Sequence, residues 1–598
     1  MFKINGPAHM RRGSGPSRPD SRVPLLAILL VSTCLTAGCK LGPDYCGAPA
    51  QIQSRWIDAD VDPHVCGEPD DVIQWWNKFD DPILTSLIAT LESQNLDLRS
   101  AAFRIQAARS SLGIAVGGLF PQSQTANGAY QRLNNSQTIA NVAPVVDFDN
   151  WGVSMFDAQW ELDFWGRFRR NIESSEDQLQ ESIATYDDIL VSLQGETAST
   201  YIQLRTLERR LALARANVAI QQGTLKIAEA QFKFGAVSEL DVIQATQSLA
   251  QTKSSIPVFE AGIRISKNAL CVLLGTTPGS LDQVLEVPTG IPPAPEIICA
   301  GVPSELLQRR PDIRAAWYAA AAQSASIGVA ITDLYPSFII SGDIGYQSQN
   351  LSDLVNPKSV IGAVGPSFSW NILNYGRIRN NIRLQEDLLQ SDLANYQQTV
   401  LSAYQEVENG LINFSTTHEQ IDDLTVSAEQ AAKSVKIATS QYENGATDFN
   451  RVYTLQLNLA EQQDSLAAAQ GDLAAQVVAV YKALGGGWQA RATGYSMPGG
   501  PIPMQPNLGE PGGERVPLPP PPEEPDAAND QTGTVPLDIQ PDAADELVGL
   551  FHVQPDQTVK PVMATLPQLP EHEGTTQREF IPRLRGSAKK SDIADTVE

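Results

Sequence analysis

The segments FDAQWELDFWGRFRRNI (156–172) and PSFSWNILNYGRIRNNI (366–382) are two versions of one pattern. Identities recur 210 residues apart (370 − 160 = 210), among them Trp160 and Trp370, Gly166 and Gly376, Arg167 and Arg377, and Arg169 and Arg379. Before each Gly-Arg pair, apolar and polar residues alternate with the period of a β-strand, and after it the spacing is helical. The pattern therefore predicts a strand-to-helix junction at Gly166 and another at Gly376.

A long helix is predicted after each junction. No proline occurs between Arg167 and Lys233, or between residues 377 and 444. About 65 residues at 1.5 Å each make a helix of roughly 100 Å. Each run ends at a glycine suited to a helix C-terminus, Gly235 or Gly445, which predicts a helix-tip turn at each. Shorter return helices should follow, over 238–274 and 448–484.

Each half also contains a leading helix and two strands. The leading helices are predicted over 82–119 and 304–334, and the strands lie in hairpins over 122–165 and 337–372, where Thr, Tyr and Trp alternate with other residues. The predicted fold is thus mainly α with a β portion, built from two tandem repeats of short helix, two strands, long helix and short helix. Two short helices stacked end to end match one long helix in length.

Composition divides the 598 residues into segments. The C-terminal tail (489–598) contains 18 of the chain's 40 prolines, few aromatic residues and acidic clusters, including PLPPPPEEP (517–525). Because of this composition we expect the tail to be extended or disordered. The predicted segments are a signal peptide (1–38), a lead-in (39–80), a first repeat (81–274), a Pro-rich linker (275–303), a second repeat (304–488) and the tail (489–598).

The N-terminus has the features of an export signal. Four arginines precede an apolar stretch over 23–35, which is too short for a usual membrane span. The stretch ends in LTAGC (35–39), and small residues followed by a cysteine resemble a bacterial lipobox. We therefore predict a covalent lipid on Cys39; the alternative is an ordinary cleaved signal with a chance cysteine.

The remaining cysteines predict no metal site. Cys46 and Cys66 are candidates for a disulfide in an oxidising periplasm, although sequence cannot show that they are close. Cys271 ends an apolar helix and is expected to be packed, whereas the role of Cys299 stays open. The chain has five histidines, and no Cys/His cluster has metal-ligand spacing, so no metal and no cofactor other than the lipid is expected.

Charge and motifs exclude several function classes. A net charge of −25 argues against nucleic acid as a partner. No phosphate-binding loop and no Ser/His/Asp array occurs in the sequence, so an enzyme is not expected.

Four strands in one chain are too few to cross a bilayer alone. Open edges would leave backbone N–H and C=O groups without partners in hydrocarbon, and bacterial barrels begin at about eight strands. Three copies would supply twelve strands and twelve helical columns. If the hairpins enter a membrane, oligomerisation is required; otherwise they form a small soluble sheet.

The chain resembles the TolC-like outer-membrane efflux family, in its lipoprotein branch of the OprM/NodT type, which serves resistance-nodulation-division systems. The resemblance runs over residues 39–488 and is carried by CKLGPDY (39–45), WWNKFDDP (75–82), NLDLR (95–99), ELD (161–163), LDV (240–242), LQRRPDI (307–313) and YQEVEN (404–409). The tail departs from the family's usual short C-terminus.

The resemblance implies a homotrimer anchored in the bacterial outer membrane and extending into the periplasm. A twelve-stranded β-barrel would contact outer-membrane lipid, and an α-helical barrel would descend to a mouth that is closed at rest. A periplasmic adaptor and an inner-membrane pump would supply opening and energy, so this chain would passively conduct drugs or other small molecules. The alternatives are an exit duct for type I protein secretion and a periplasm-spanning tether that does not conduct.

The tip turns lie at the ends of the helices farthest from the strands, which places them at the periplasmic mouth. Asp241 and Arg451 each follow a tip glycine by six residues, so equivalent positions carry opposite charges. Asp448 lies three residues before Arg451 and can compete for it. Thr447 and Thr454 occupy positions where relatives often carry Arg and Asp. Our hypothesis is that Arg451 links to Asp241, within or between protomers, and holds the mouth closed.

Overall fold

The structure is a computed structural model, and it describes residues 39–47, 52–57, 62–68, 71–134 and 147–489. The predicted signal peptide and the tail beyond residue 489 lie outside the described residues. The helices are α1 (Pro82–Gln94), α2 (Leu96–Gly117), α3 (Arg167–Lys233), α4 (Glu239–Leu273), α5 (Leu306–Arg309), α6 (Pro311–Thr332), α7 (Arg377–Glu443) and α8 (Phe449–Ala483). The strands are β1 (Val65–Cys66), β2 (Ser123–Leu133), β3 (Phe148–Leu162), β4 (Ile298–Cys299), β5 (Ser337–Ser348) and β6 (Val360–Ser369).

The two long helices, α3 and α7, each have 67 residues and organise the rest. Near the strands, the helices lie side by side in the order α2, α3, α6, α7; toward the tips, the order is α4, α3, α8, α7. In both layers α7 forms one edge of the protomer, and α2 or α4 forms the other.

Each leading helix is broken, contrary to the single helices predicted over 82–119 and 304–334. The first break falls at Asn95, whose Oδ1 accepts from the Leu98 N–H at 2.9 Å and caps α2. Its side-chain nitrogen donates to the Leu273 carbonyl at 2.7 Å, so Asn95 joins the end of α4 to the start of α2. Arg310 has the same place in the second half, donating from Nη1 to the Ala483 carbonyl at 2.9 Å. These contacts stack the short helices end to end.

Strands β2, β3, β5 and β6 form one antiparallel sheet in that order. Among the described residues the sheet has two free edges, β2 and β6, and nearly all residues of these strands are exposed. The repeated tryptophans fix the sheet to the helices in the same way, because Trp160 Nε1 donates to the Leu119 carbonyl and Trp370 Nε1 to the Leu334 carbonyl, both at 3.0 Å.

A buried core lies at the level where the short helices meet. Trp75, Trp76 and Phe79 in the lead-in are fully buried there, and Trp75 stacks on Tyr481 of α8 with ring centroids 6.0 Å apart. The lead-in therefore packs against the second repeat as well as preceding the first.

The disulfide differs from the candidate pair Cys46 and Cys66. Cys66 is bonded to Cys299, because β1 and β4 pair in parallel and place these two residues opposite each other. Cys46 is an exposed free thiol, and Cys271 is buried as expected. The bond ties the lead-in to the linker between the repeats, 233 residues away in sequence.

Removing this bond should destabilise the protein. In Cys66→Ser/Cys299→Ser the expected loss is about 2–4 kcal/mol of unfolding free energy, because the cross-link restricts the unfolded chain. Thermal unfolding of both proteins measures the loss, and Cys46→Ser is the matched control with no expected change. Mass spectrometry of unreduced peptides that showed Cys66 joined to Cys46 would contradict the pairing.

Candidate functional site

The proposed lipid site lies against the first strand-to-helix junction. Gly166 has φ +79°, and a Cβ there would come within 2.9 Å of Lys40 Cα and 3.0 Å of the Cys39 carbonyl oxygen. The Leu41 N–H donates to the Trp165 carbonyl at 3.2 Å. Only a glycine lets the lead-in approach so closely. The Cys39 thiol is exposed and unpaired, at the level where strands give way to helices.

Arg170 holds the lead-in at this place, and sequence reasoning missed it. Its side chain is 1% exposed. Nε donates to the Leu41 carbonyl at 2.8 Å, and Nη2 donates to the Gly42 carbonyl at 3.0 Å and to Asp44 Oδ1 at 2.9 Å. The equivalent residue 210 positions later is Asn380. This difference between the repeats could have identified Arg170 as a binding residue, because only the first junction contacts the N-terminal segment.

Acidic side chains surround the start of α3. Lys40 Nζ lies 2.8 Å from Glu173 Oε2. Burial, together with the negative charges of Glu173 and Glu176, raises the pKa of Asp177 to about 6, and Lys40 partly opposes this. The Lys40 ammonium therefore lies in a field that favours a cation beside the proposed lipid site.

The second junction is built differently. Gly376 has φ +85°, as the same turn requires, but no segment of the described part of the chain covers it. Tyr375, the counterpart of Trp165, is 98% exposed. Trp165 by contrast stacks on Tyr335 with ring centroids 4.7 Å apart. In the part of the chain that the structure describes, the first junction is therefore covered and the second is open.

The tip turns at the opposite end have the same backbone geometry. The Gly235 N–H donates to the Phe232 carbonyl at 2.9 Å, and the Gly445 N–H donates to the Tyr442 carbonyl at 3.0 Å. Both glycines have positive φ, +71° and +67°. Each turn reverses the chain within a few residues, which brings the first turns of α4 and α8 to the tip.

Asp241, Asp448 and Arg451 lie near this tip, but Asp241 and Arg451 form no ion pair within the described chain. Asp241 instead accepts from the Tyr442 hydroxyl at 3.3 Å and from Ser238 Oγ at 3.0 Å. Asp448 caps α8 by accepting from the Arg451 backbone N–H at 3.0 Å. A link between protomers stays a prediction.

Tyr442 is the tip residue that sequence reasoning missed. Its side chain is 1% exposed, and burial and the nearby Asp241 carboxylate raise its pKa. Its counterpart in the first repeat is Phe232. The hydroxyl, present in only one repeat, was the signal that could have identified it.

A series of polar contacts joins the two helical hairpins, of which the first is α3 with α4 and the second is α7 with α8. The α3 residues that form it are seven positions apart and face α8 or the end of α7. The pairs are Arg210 Nε with Asp464 Oδ1 at 2.7 Å, Asn217 with Gln463 at 3.0 Å, Thr224 with Gln456 at 2.8 Å, and Gln231 with the Tyr442 carbonyl at 3.2 Å. Apolar packing occurs within a hairpin, as in the cluster of Leu211, Ala214 and Phe259, and also between the hairpins at the tip, where Ala228 and Ala245 pack with Tyr442, Phe449 and Val452.

The described residues contain no group of three or more His, Cys, Asp or Glu side chains arranged to hold a metal. Over the same part of the chain, no helix is both apolar enough and long enough to span a membrane.

A mainly helical protomer with a four-stranded sheet at one end and helix tips at the other is the architecture of a channel subunit. The family described as "Outer membrane efflux protein" matches residues 87–276 and 302–486, so this chain belongs to that family. It is accordingly an outer-membrane protein that extends into the periplasm, and its family is not enzymatic.

Relatives and solved structures agree with this membership. Nodulation protein T of Rhizobium leguminosarum bv. trifolii is 29% identical over 464 residues, which are 76% of this chain and 96% of that protein. The toluene efflux pump outer membrane protein TtgF of Pseudomonas putida is 29% identical over 464 residues, 76% of this chain and 95% of its own. The structure of the outer-membrane channel OprN has a TM-score of 0.71 and 31% identity, and covers 75% of this chain and all of that one.

Removing the Tyr442 hydroxyl should loosen the periplasmic mouth. Tyr442→Phe keeps the ring but loses the hydrogen bond to a carboxylate, typically worth about 1.5–3 kcal/mol, so single-channel conductance in planar bilayers should rise. Tyr453→Phe is the control, because its ring packs beside the same tip cluster. Equal conductance of Tyr442→Phe and the unmodified protein would show that the contact does not hold the mouth.

Proposed function

We propose that three copies of this chain form an exit duct of a tripartite efflux system, which passively conducts small molecules across the periplasm and outer membrane. In this assembly the strands would close into a twelve-stranded barrel, and the helices would form a tunnel below it. An adaptor and an inner-membrane pump would complete the system, since no phosphate-binding motif in the sequence suggests an energy source of its own.

The observation that carries the proposal is the pair of free sheet edges. Strands β2 and β6 expose backbone groups that hydrocarbon cannot satisfy. Joining the β6 edge of one copy to the β2 edge of the next is a heterologous contact, and such contacts close into a ring when the rotation allows it. Three copies of four strands give twelve, within the range of bacterial barrels.

Exposed apolar stripes on the two helical edges support the same contact. Along α7 the stripe consists of Leu401, Ile412, Val426 and Ile437, which fall within about 40° of one another at 3.6 residues per turn. Along α4 it consists of Leu240, Ile243, Val258, Ile265 and Val272, within about 60°. Because the stripes lie on opposite edges, each copy can offer α7 to the α4 of its neighbour.

The relatives favour small molecules over protein as cargo. The relative TtgF is named for toluene efflux, and the chain's lipobox-like segment matches the lipoprotein branch that serves such systems. A type I protein-secretion duct is the second candidate, and a channel that passes small ions but no polypeptide separates the two. Conductance also separates either duct from a tether.

A glutamate in the α7 stripe should prevent assembly. Ile412→Glu puts a charge into the apolar contact, so native mass spectrometry in mild detergent should show single chains, and conductance should be lost. Asn413→Glu is the matched control, because Asn413 is also exposed but points about 100° away from the stripe. A trimer in both variants would contradict the stripe contact, and a monomeric unmodified protein in membranes would contradict the duct.

The lipid on Cys39 is part of the proposal. The thiol is exposed at the level of the sheet, and the lead-in behind it is held by Arg170. Two or three acyl chains would anchor the N-terminus stably, where one would be marginal. Mass spectrometry of the mature N-terminus should show acylated Cys39. An unmodified Cys39, or cleavage at another residue, would exclude the anchor.

A further inference from the structure

The two histidines of the described residues, His64 and His418, contact each other although they are 354 positions apart in sequence (418 − 64 = 354). Their ring centroids lie 4.2 Å apart, with 45° between the ring planes. The other three histidines of the chain, His9, His552 and His572, lie outside the described residues. The function proposed above makes no use of this pair.

The lead-in reaches His418 by lying along α7. Trp56 stacks on Tyr404 of α7 with ring centroids 5.3 Å apart, and the Ile57 N–H donates to a carboxylate oxygen of the same helix. His64 follows and contacts α7 at His418. At 3.6 residues per turn, His418 points about 100° away from the middle of the apolar stripe on α7. The histidine pair therefore forms within one chain and does not depend on the proposed ring.

The linker between the repeats determines which nitrogen of His64 carries a hydrogen. His64 Nδ1 lies 3.0 Å from the Glu296 carbonyl oxygen. A carbonyl oxygen can only accept, so Nδ1 is the donor, and in the neutral ring Nε2 keeps its lone pair. Histidines that bind a metal almost always donate their other ring N–H to a carbonyl, a carboxylate or water. His64 therefore has the tautomer of a metal ligand.

The His418 ring has a buried nitrogen without a hydrogen-bond partner. No donor or acceptor in the described part of the chain reaches its Nδ1, and leaving such an atom unpaired costs free energy. Phe414 packs on both rings, with centroids 6.5 Å from His64 and 6.0 Å from His418, and holds them beside each other. Both histidines are half-buried, so an ion can reach them from solvent.

We propose that His64 and His418 together bind one divalent first-row transition-metal ion of the kind that favours neutral imidazole, such as Zn²⁺ or Cu²⁺. Water fills the remaining positions of a four-coordinate ion. Asp62, whose Oδ1 accepts from the His64 backbone N–H at 2.8 Å, adds a negative charge that favours a cation. The ion fastens the lead-in to α7, beside the disulfide Cys66–Cys299.

This proposal revises the expectation from the sequence that the chain binds no metal. The two ligands come from segments that no sequence spacing relates, and two histidines are fewer than the groups of three that the described residues lack. A site with two protein ligands binds more weakly than a structural site with four, and its ion exchanges with solvent.

Titration calorimetry tests the pair in the full-length protein, purified without a histidine tag and stripped of metal with EDTA. The unmodified protein should bind Zn²⁺, and His64→Gln and His418→Gln should each weaken that binding at least about tenfold, the loss that follows removal of even an outer partner of a metal ligand. His552→Gln/His572→Gln is the matched control and should bind as the unmodified protein does. Mg²⁺ should not compete, because it prefers oxygen ligands.

Two results of the titration would overturn the proposal. Loss of binding in the control variant, with none in His64→Gln or His418→Gln, would assign the ion to the tail. Loss in only one of the two single variants would show that the histidines do not share an ion.

Hydrogen exchange tests whether the ion joins the two segments. Zn²⁺ should slow amide exchange in peptides of the lead-in that contain His64, and this effect should be lost in His418→Gln, whose changed residue lies in α7. Glu419→Gln is the control, because Glu419 is the exposed neighbour of His418, and it should keep the effect. Lead-in exchange that Zn²⁺ leaves unchanged in the unmodified protein would exclude the link between lead-in and helix.

Discussion

The unpaired backbone groups of β2 and β6 are the constraint on which the rest of the structure depends. In water these edges would be tolerable, but in hydrocarbon each unsatisfied N–H or C=O costs several kcal/mol. A four-stranded sheet cannot curl far enough to satisfy its own edges, so in the proposed duct the partner of each edge is another copy. The helical edges follow, because α2, α4 and α7 continue from or lie below the same two strands.

A second constraint falls on the helices, because the wall of the proposed tunnel must be of even length although its helices are of unequal length. Two short helices replace one long helix only if their ends meet without orphaned backbone groups. Asn95 and Arg310 provide this, since each gives a side-chain donor to the last turn of a return helix. The buried tryptophans of the lead-in and the Cys66–Cys299 bond lie at this same level, so the joints are also where the two repeats are fastened together.

The two repeats differ at residues of both candidate sites. Arg170 and Asn380 occupy equivalent positions in the two repeats, and only Arg170 binds the N-terminal segment. Asp241 corresponds to Arg451, and Tyr442 corresponds to Phe232. Identical positions maintain the common scaffold, whereas Arg170 and Tyr442 make side-chain hydrogen bonds that their counterparts Asn380 and Phe232 do not repeat in the described chain.

The sequence by itself determined the long helices, the glycine turns and the strand positions, because helix and strand periods and φ > 0 glycines are local properties. Family membership was also readable, since its motifs extend along the chain. Tertiary structure decided the rest. Four contacts join residues that are more than a hundred positions apart in the sequence. They are Asn95 with Leu273, Cys66 with Cys299, Arg170 with Leu41, and Tyr442 with Asp241. No local pattern encodes such contacts, because each depends on how segments far apart in the sequence pack against each other.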